Sequence, residues 1–306
     1  LDPGFNTDGQ VTTPVGSSFD AIRSAKIQPD GKIVAAGQVD AGSVSKWGIV
    51  RYHANGELDT SFGASGKVIG SFRASDDFVS SLALQNDGKL ICAGGSRNAS
   101  NQFDFAVARF NSNGSSDTSF DTDGTVITPI RFSSSAASVS LQSNGKIVAA
   151  GYSDATASST TRDFAVARYH PDGSLDSGFG SGGLVTTDIA GGFEAAFSSA
   201  VQADGKIVVA GEKQNGHALV RYLGDPAIVR RTAFDFDGDG KTELAVFRPN
   251  NGVWYLLGSQ SGFSATAFGV ASDKPVPADY DGDGRTDMAV YRAGTWYLLR
   301  SGLGFA

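Results

Sequence analysis

Two short stretches of the chain concentrate carboxylates at a spacing that suits a metal ion. In Phe234-Asp235-Phe236-Asp237-Gly238-Asp239-Gly240 three aspartates alternate, with Glu243 just beyond; 44 residues later Ala278-Asp279-Tyr280-Asp281-Gly282-Asp283-Gly284 repeats the pattern, with Asp287 in the place of Glu243. Alternate residues of a tight loop turn inward together, so each stretch aims several oxygens at one point. Ca²⁺ takes six to eight oxygen ligands, whereas Mg²⁺ keeps several waters and seldom uses an all-protein cage. Two Ca²⁺ sites are therefore expected. The first would use Asp235, Asp237, Asp239, the carbonyl of Lys241 and Glu243; the second would use Asp279, Asp281, Asp283, the carbonyl of Arg285 and Asp287. Gly238, Gly240, Gly282 and Gly284 let the backbone bend that sharply. An EF-hand is excluded: its bidentate Glu at position 12 is replaced by Val246 and Val290, and the alternating Leu244, Val246 and Met288, Val290 read as strands rather than flanking helices. The competing account is that these aspartates only cap turns, which leaves four like charges within nine residues without a counter-ion. The expected role of the ion is structural. At millimolar calcium, a site of the weak extracellular kind adds about 1 kcal/mol of stability.

Other reactive residues offer less. His53 and His170 follow an Arg-aromatic pair in what reads as an exposed loop, and His217 stands alone. The single cysteine, Cys92, lies in the apolar run Leu90-Ile91-Cys92-Ala93, which places it on a buried strand, and one cysteine excludes a disulfide framework. No Gly-x-Ser-x-Gly elbow occurs and no nucleophile-base set is suggested. Trp254 and Trp296, in the same register of the two acidic segments, read as core strands, with a sugar platform as the alternative. The expectation is a chain that is not an enzyme.

The elements that must position these residues are visible as repeats. Gly-Lys-aliphatic anchors begin at Gly31, Gly88, Gly145 and Gly205, spaced by 57, 57 and 60 residues. Arg51-Tyr52, Arg109-Phe110, Arg168-Tyr169 and Arg221-Tyr222 recur in step, as do Asp-x-x-Phe turns at Asp2, Asp59, Asp117 and Asp176. One structural ion pair per repeat is expected between these arginines and aspartates. Runs of four to seven aliphatic residues bounded by Asp-Gly, Asn-Gly and Gly-Gly read as short strands, for example Phe78 to Leu84, Lys89 to Ala93 and Phe105 to Phe110, with Lys67 to Ile69 from the preceding connector. No helical period is sustained. About four strands per repeat predicts an all-β fold, a β-propeller of four-stranded antiparallel blades.

Residues 1–224, through Leu58-Asp59-Thr60-Ser61-Phe62-Gly63, Gln85-Asn86-Asp87-Gly88-Lys89 and Asp104-Phe105-Ala106-Val107-Ala108-Arg109-Phe110, resemble the bacterial delta-sixty repeat in four copies. Residues 225–306 resemble FG-GAP repeats, also found in VCBS-type surface proteins; there the acidic loops are followed by Glu243 to Arg248 and Asp287 to Arg292, and then by Trp254-Tyr255-Leu256-Leu257 and Trp296-Tyr297-Leu298-Leu299. These resemblances imply a secreted or surface propeller, with both sets of blades in one ring. Six blades are expected, with seven blades or a piece of a longer repeat chain as alternatives. Gln10-Val11-Thr12-Thr13 aligns with the last strand of a blade and is expected to complete one.

Composition narrows the partners. The 306 residues carry a formal charge of −7, but outside the two acidic loops 25 Lys and Arg face 24 Asp and Glu, so the acidity is local. No basic face suits nucleic acid, and no apolar run suits membrane insertion. Leu1 to Asn6 lack the charged and apolar regions of a signal peptide, so one, if present, has been removed. The expected function is that of an extracellular, non-enzymatic binding, adhesion or surface-assembly module, its partner a protein or glycan at a cell or matrix surface. A carbohydrate-binding lectin and a polysaccharide-active lyase or hydrolase are the alternatives. Loops such as Asp154 to Arg162 and Ser96 to Phe103 are the candidate recognition elements.

Overall fold

A computed structural model describes all residues except Ala74, 158–160, Ala190, 226–233, Gly282, Leu303 and Ala306. The bend expected at Gly282 lies outside the described residues. The chain divides into two compact units, Leu1–Ala227 and Ile228–Ala306. No helix occurs among the described residues, and every sheet is antiparallel.

The first unit holds four sheets. Blade 1 is β1 (Asp20–Ile27), β2 (Ile33–Asp40), β3 (Ser45–Tyr52) and β4 (Lys67–Gly70); blade 2 is β5 (Asp77–Leu84), β6 (Leu90–Arg97), β7 (Phe103–Phe110) and β8 (Thr125–Thr128). Blade 3 is β9 (Ser133–Leu141), β10 (Ile147–Asp154), β11 (Arg162–Tyr169) and β12 (Leu184–Thr187), and blade 4 has three strands, β13 (Glu194–Val201), β14 (Ile207–Lys213) and β15 (Gly216–Tyr222). Within each blade the strands pair in chain order, which is the meander of a β-propeller blade. Lys67 to Ile69 thus belongs to the first blade rather than the second repeat, because the Asp59 to Phe62 turn folds it back onto β3.

Each first strand carries a bulge, between Ile22 and Ser24, Val79 and Ser81, Ala136 and Ser138, and Ala196 and Ser198. A glycine faces each bulge. A Cβ on Gly37, Gly94, Gly151 or Gly211 would lie 1.9–2.0 Å from a first-strand carbonyl, so only glycine permits this approach. Cores form between successive blades. Val34, Trp47 and Ile49 of blade 1 pack on Val79, Leu82 and Phe110 of blade 2, with the Trp47 and Phe110 rings 5.1 Å apart. Blades 2 and 3 share a second core, and blades 3 and 4 a third.

Two devices recur at these seams. The serine after each bulge lends its Oγ to a backbone N–H of the next blade: Leu82 N–H donates to Ser24, Val139 to Ser81 and Ser199 to Ser138, at 3.0–3.1 Å. At the other end, Arg51, Arg109 and Arg168 are nearly buried and pair with Asp59, Asp117 and Asp176 at 2.6–2.8 Å, as expected. The lysines of the Gly-Lys anchors, Lys32, Lys89 and Lys146, join the same carboxylates at 2.9–3.2 Å. Each guanidinium also covers the Phe of its Asp-x-x-Phe turn, 4.6–4.9 Å from the ring centroid.

The second unit has two sheets: β16 (Leu244–Arg248), β17 (Val253–Gly258) and β18 (Gly262–Ala267), then β19 (Lys274–Pro275), β20 (Met288–Arg292), β21 (Thr295–Arg300) and β22 (Gly304–Phe305). Each acidic loop runs directly into the first long strand of its sheet.

Candidate metal centres

In the first acidic loop the carboxylates of Asp235, Asp237, Asp239 and Glu243 each bring an oxygen within 4.8 Å of the others. Positive φ at Gly238 (83°) and Gly240 (86°) turns the chain around Asp235, whose two oxygens accept the N–H groups of those glycines at 2.6 and 2.8 Å. Glu243 accepts the Phe236 N–H at 2.6 Å and is nearly buried, as is Asp235. The Asp239 carboxylate accepts the Lys241 N–H at 2.9 Å.

The turn between β17 and β18 covers this loop. Gln260 and Ser261 N–H groups donate to one oxygen of Asp237 at 2.9 and 3.0 Å, and the Ser259 hydroxyl donates to Asp239 at 2.5 Å. Those donors hold both carboxyls below their ordinary pKa, the Ser261 and Gln260 amides acting on Asp237 and the Ser259 hydroxyl acting first on Asp239. The other oxygen of Asp237, Oδ1, is buried and accepts no hydrogen bond among the described residues. A buried carboxylate oxygen without a donor is costly, and a cation held by the cluster would satisfy it. The donor set fits Ca²⁺: it is oxygen only, anionic and flexible in denticity.

The second loop is built alike but arranged differently. Asp279, Asp281 and Asp283 converge. Asp287 stands apart from that group: its oxygens accept the Tyr280 N–H at 2.7 Å and the Ser301 N–H and hydroxyl at 2.7 and 3.0 Å. The Arg285 N–H donates to Asp283 at 2.8 Å and holds its carboxyl below the ordinary range. Ser301 also donates to Asp283, as Ser259 does to Asp239. The sequence reading missed both serines, although each follows its Trp-Tyr-Leu-Leu run at a fixed offset.

Trp254 is buried, whereas Trp296 is 53% exposed, its ring 6.1 Å from that of Tyr280 in the second loop and 5.4 Å from that of Tyr291. In the first unit the first strands of all four blades line a cavity of about 620 Å³, with Ser24, Ser81, Ser138 and Ser199 among its walls beside Arg23 and Lys26. No carboxylate lines it among the described residues. His53 and His170 are partly exposed, 3.8 and 3.6 Å from Asp59 and Asp176. Cys92 is buried, and burial raises its thiol pKa far above the ordinary value.

Comparison with known proteins follows the same division. Residues 28–62, 85–120, 142–179 and 202–225 match a family model described as a domain of unknown function (DUF5122) beta-propeller, and residues 235–290 match an FG-GAP-like repeat. No curated protein matches the chain. Solved structures similar to it include a protein of unknown function from Bacteroides caccae, at 14% identity and a TM-score of 0.37, covering 78% of this chain and 71% of that one. An exo-1,5-alpha-L-arabinanase from a bovine ruminal metagenomic library matches at 11% identity and TM-score 0.35, covering 66% and 75%. A GH43_1 enzyme from Xanthomonas citri matches at 13% and 0.30, covering 89% and 88%. These neighbours correct one expectation: with enzymes among the similar structures, the reading of the chain as a non-enzyme is not upheld.

Proposed function

We propose that this chain is a calcium-stabilised, extracellular β-propeller protein that engages a glycan or protein at a cell or matrix surface. The observation that carries the calcium assignment is the first acidic loop, where four carboxylates converge and Asp237 Oδ1 is buried without a donor. Asp235, Asp237, Asp239 and Glu243 would hold one ion, with the Lys241 carbonyl, and Asp279, Asp281 and Asp283 a second, with the Arg285 carbonyl. Asp287, whose Oδ1 is held by Ser301, would offer the second ion its Oδ2, which accepts the Tyr280 N–H. Bound there, Ca²⁺ supplies charge neutralisation that ties each loop to the strand and turn beside it. Calorimetric titration with CaCl₂ should show two sites, and EDTA should lower the melting temperature. An unchanged melting curve in EDTA would sink the assignment.

Within this reading, a specific observation favours a glycan. The exposed indole of Trp296 beside Tyr280 and Tyr291 is an aromatic platform of the kind that stacks on sugar rings, placed next to a cation site. A glycan array should show binding that Trp296→Ala abolishes. Breakdown of an arrayed polysaccharide would shift the reading to a lyase or hydrolase.

A further inference from the structure

Both acidic loops belong to the second unit, and a chain of hydrogen bonds joins them. The Thr286 N–H, in the second loop, donates to the Asp235 carbonyl, in the first, at 2.5 Å. The next peptide carries the chain on, because the Phe236 N–H donates to Glu243 Oε2 at 2.6 Å. In a trans peptide the C=O and N–H point in opposite directions, and no cis bond occurs among the described residues. The peptide between Arg285 and Thr286 therefore turns its N–H toward the first loop and its carbonyl away from it, and that carbonyl is one of the oxygens assigned to the second ion. Two peptide groups thus stand in series between an oxygen of the second site and a carboxylate of the first. They are shielded from water, with Asp235, Glu243 and Thr286 only 3, 5 and 7% exposed. The Arg285 side chain lies over the same junction, its Nε 2.7 Å from the Cβ position of Gly238.

The two loops are not equally prepared. In the first, four carboxylates already converge, Glu243 at the end of the chain among them; in the second, Asp279, Asp281 and Asp283 converge and Asp287 stands apart.

We infer that the two ions bind in order and with positive coupling: the first loop fills first, and its ion readies the second loop through the peptide between Arg285 and Thr286. The coupling presupposes that both loops bind calcium. An ion held by Asp235 and Glu243 fixes the Asp235 carbonyl, which fixes the Thr286 N–H and with it the plane of the peptide that carries the Arg285 carbonyl. The cost of ordering that carbonyl then falls on the first ion rather than the second. Hydrogen bonds in series polarise one another, so an ion on the Arg285 carbonyl strengthens both bonds back to Glu243. The effect is reciprocal, as linkage requires. Repulsion between the two cations opposes it, but the carboxylates around each ion weaken that repulsion. The second ion is expected to gain affinity by about tenfold.

Calorimetric titration of the full chain with CaCl₂, after divalent ions are stripped, tests this. Asp281→Asn should leave only the first site and Asp237→Asn only the second, each keeping the shape of the side chain. The product of the two stepwise association constants of the native chain should exceed the product of the two single-site constants by about tenfold. Amide hydrogen exchange separates the peptide link from charge alone. In Asp281→Asn, Ca²⁺ in the first loop should slow exchange of the Thr286 amide, whereas a cation acting only through space draws in hydroxide, the exchange catalyst at neutral pH, and speeds it. Equal products, or a Thr286 amide that exchanges at the same rate or faster with Ca²⁺, would overturn the coupling while leaving two calcium sites in place. No calcium uptake by the native chain would overturn the calcium assignment, and the coupling with it.

Discussion

At the scale of single residues, the three buried Arg-Asp-Lys clusters are the most consequential chemistry of the first unit. Burial works against ionisation of Asp117, but hydrogen bonds from Lys89 and Ser119 and the charge of Arg109 outweigh it and hold its carboxyl well below the ordinary 3.8; Asp59 and Asp176 behave alike. Removing one partner leaves a buried charge, so Arg168→Ala should cost about 3–5 kcal/mol in urea unfolding. The pH dependence has a definite sign. These carboxyls bind protons less readily folded than unfolded, so their contribution is complete above about pH 4 and is lost as pH falls through the lower folded values. Asp77, which burial raises, acts in the opposite sense. The urea midpoint should therefore hold from neutrality to about pH 4 and then drop, and Asp117→Asn should flatten the drop. A midpoint that falls already between about pH 6 and 5 would point to groups other than these.

At the scale of elements, the bulge-facing glycines set the shape of each blade. Gly151→Ala would push a Cβ into the Ser135 carbonyl, and at least about 3 kcal/mol of destabilisation is expected, read from thermal or urea unfolding. A milder case is the outer seam, where Tyr169→Phe removes a buried hydroxyl bond and leaves Thr128 unpaired, at a cost of about 1 kcal/mol. Much of this level was legible in the sequence. The Arg-aromatic and Asp-x-x-Phe markers are local, fixed in spacing and chemically complementary, so their pairing followed without coordinates. Even the glycines carried a signal, each standing six residues after the Gly of its Gly-Lys anchor. The seam serines Ser24, Ser81 and Ser138 carried one too, each seven residues before that same Gly, but the spacing alone did not name their role, because their partners are backbone groups some 58–61 residues away. The acidic loops were legible as carboxylate clusters, whereas the bonds of Asp287 to Ser301 were marked only by the serine's offset from its Trp-Tyr-Leu-Leu run, which does not say what the serine meets.

At the scale of the whole molecule, the division into two compact units sorts the effects expected of the proposed calcium. Both acidic loops belong to the second unit, while the buried ion clusters belong to the first. Calorimetric unfolding should resolve two transitions, and chelation should shift one and leave the other in place. A single transition moving as a whole in EDTA would mean that the units unfold together.

One seam differs from the others. Where Tyr52, Tyr169 and Tyr222 meet a threonine, blade 2 has Phe110 in the tyrosine's register position and blade 1 has Gly70 in the threonine's, the Cβ position of Gly70 being taken by the Trp47 ring at 2.3 Å. Both the hydroxyl donor and its acceptor are gone together. Exchanging blades between positions is harmless only where every junction is interchangeable. The first junction is not: moving blade 2 elsewhere would strand a threonine hydroxyl against a phenyl ring, and moving another blade into its place would leave a tyrosine without an acceptor. The order of these two blades is thus written into their shared boundary, and they are expected to be inherited as a pair.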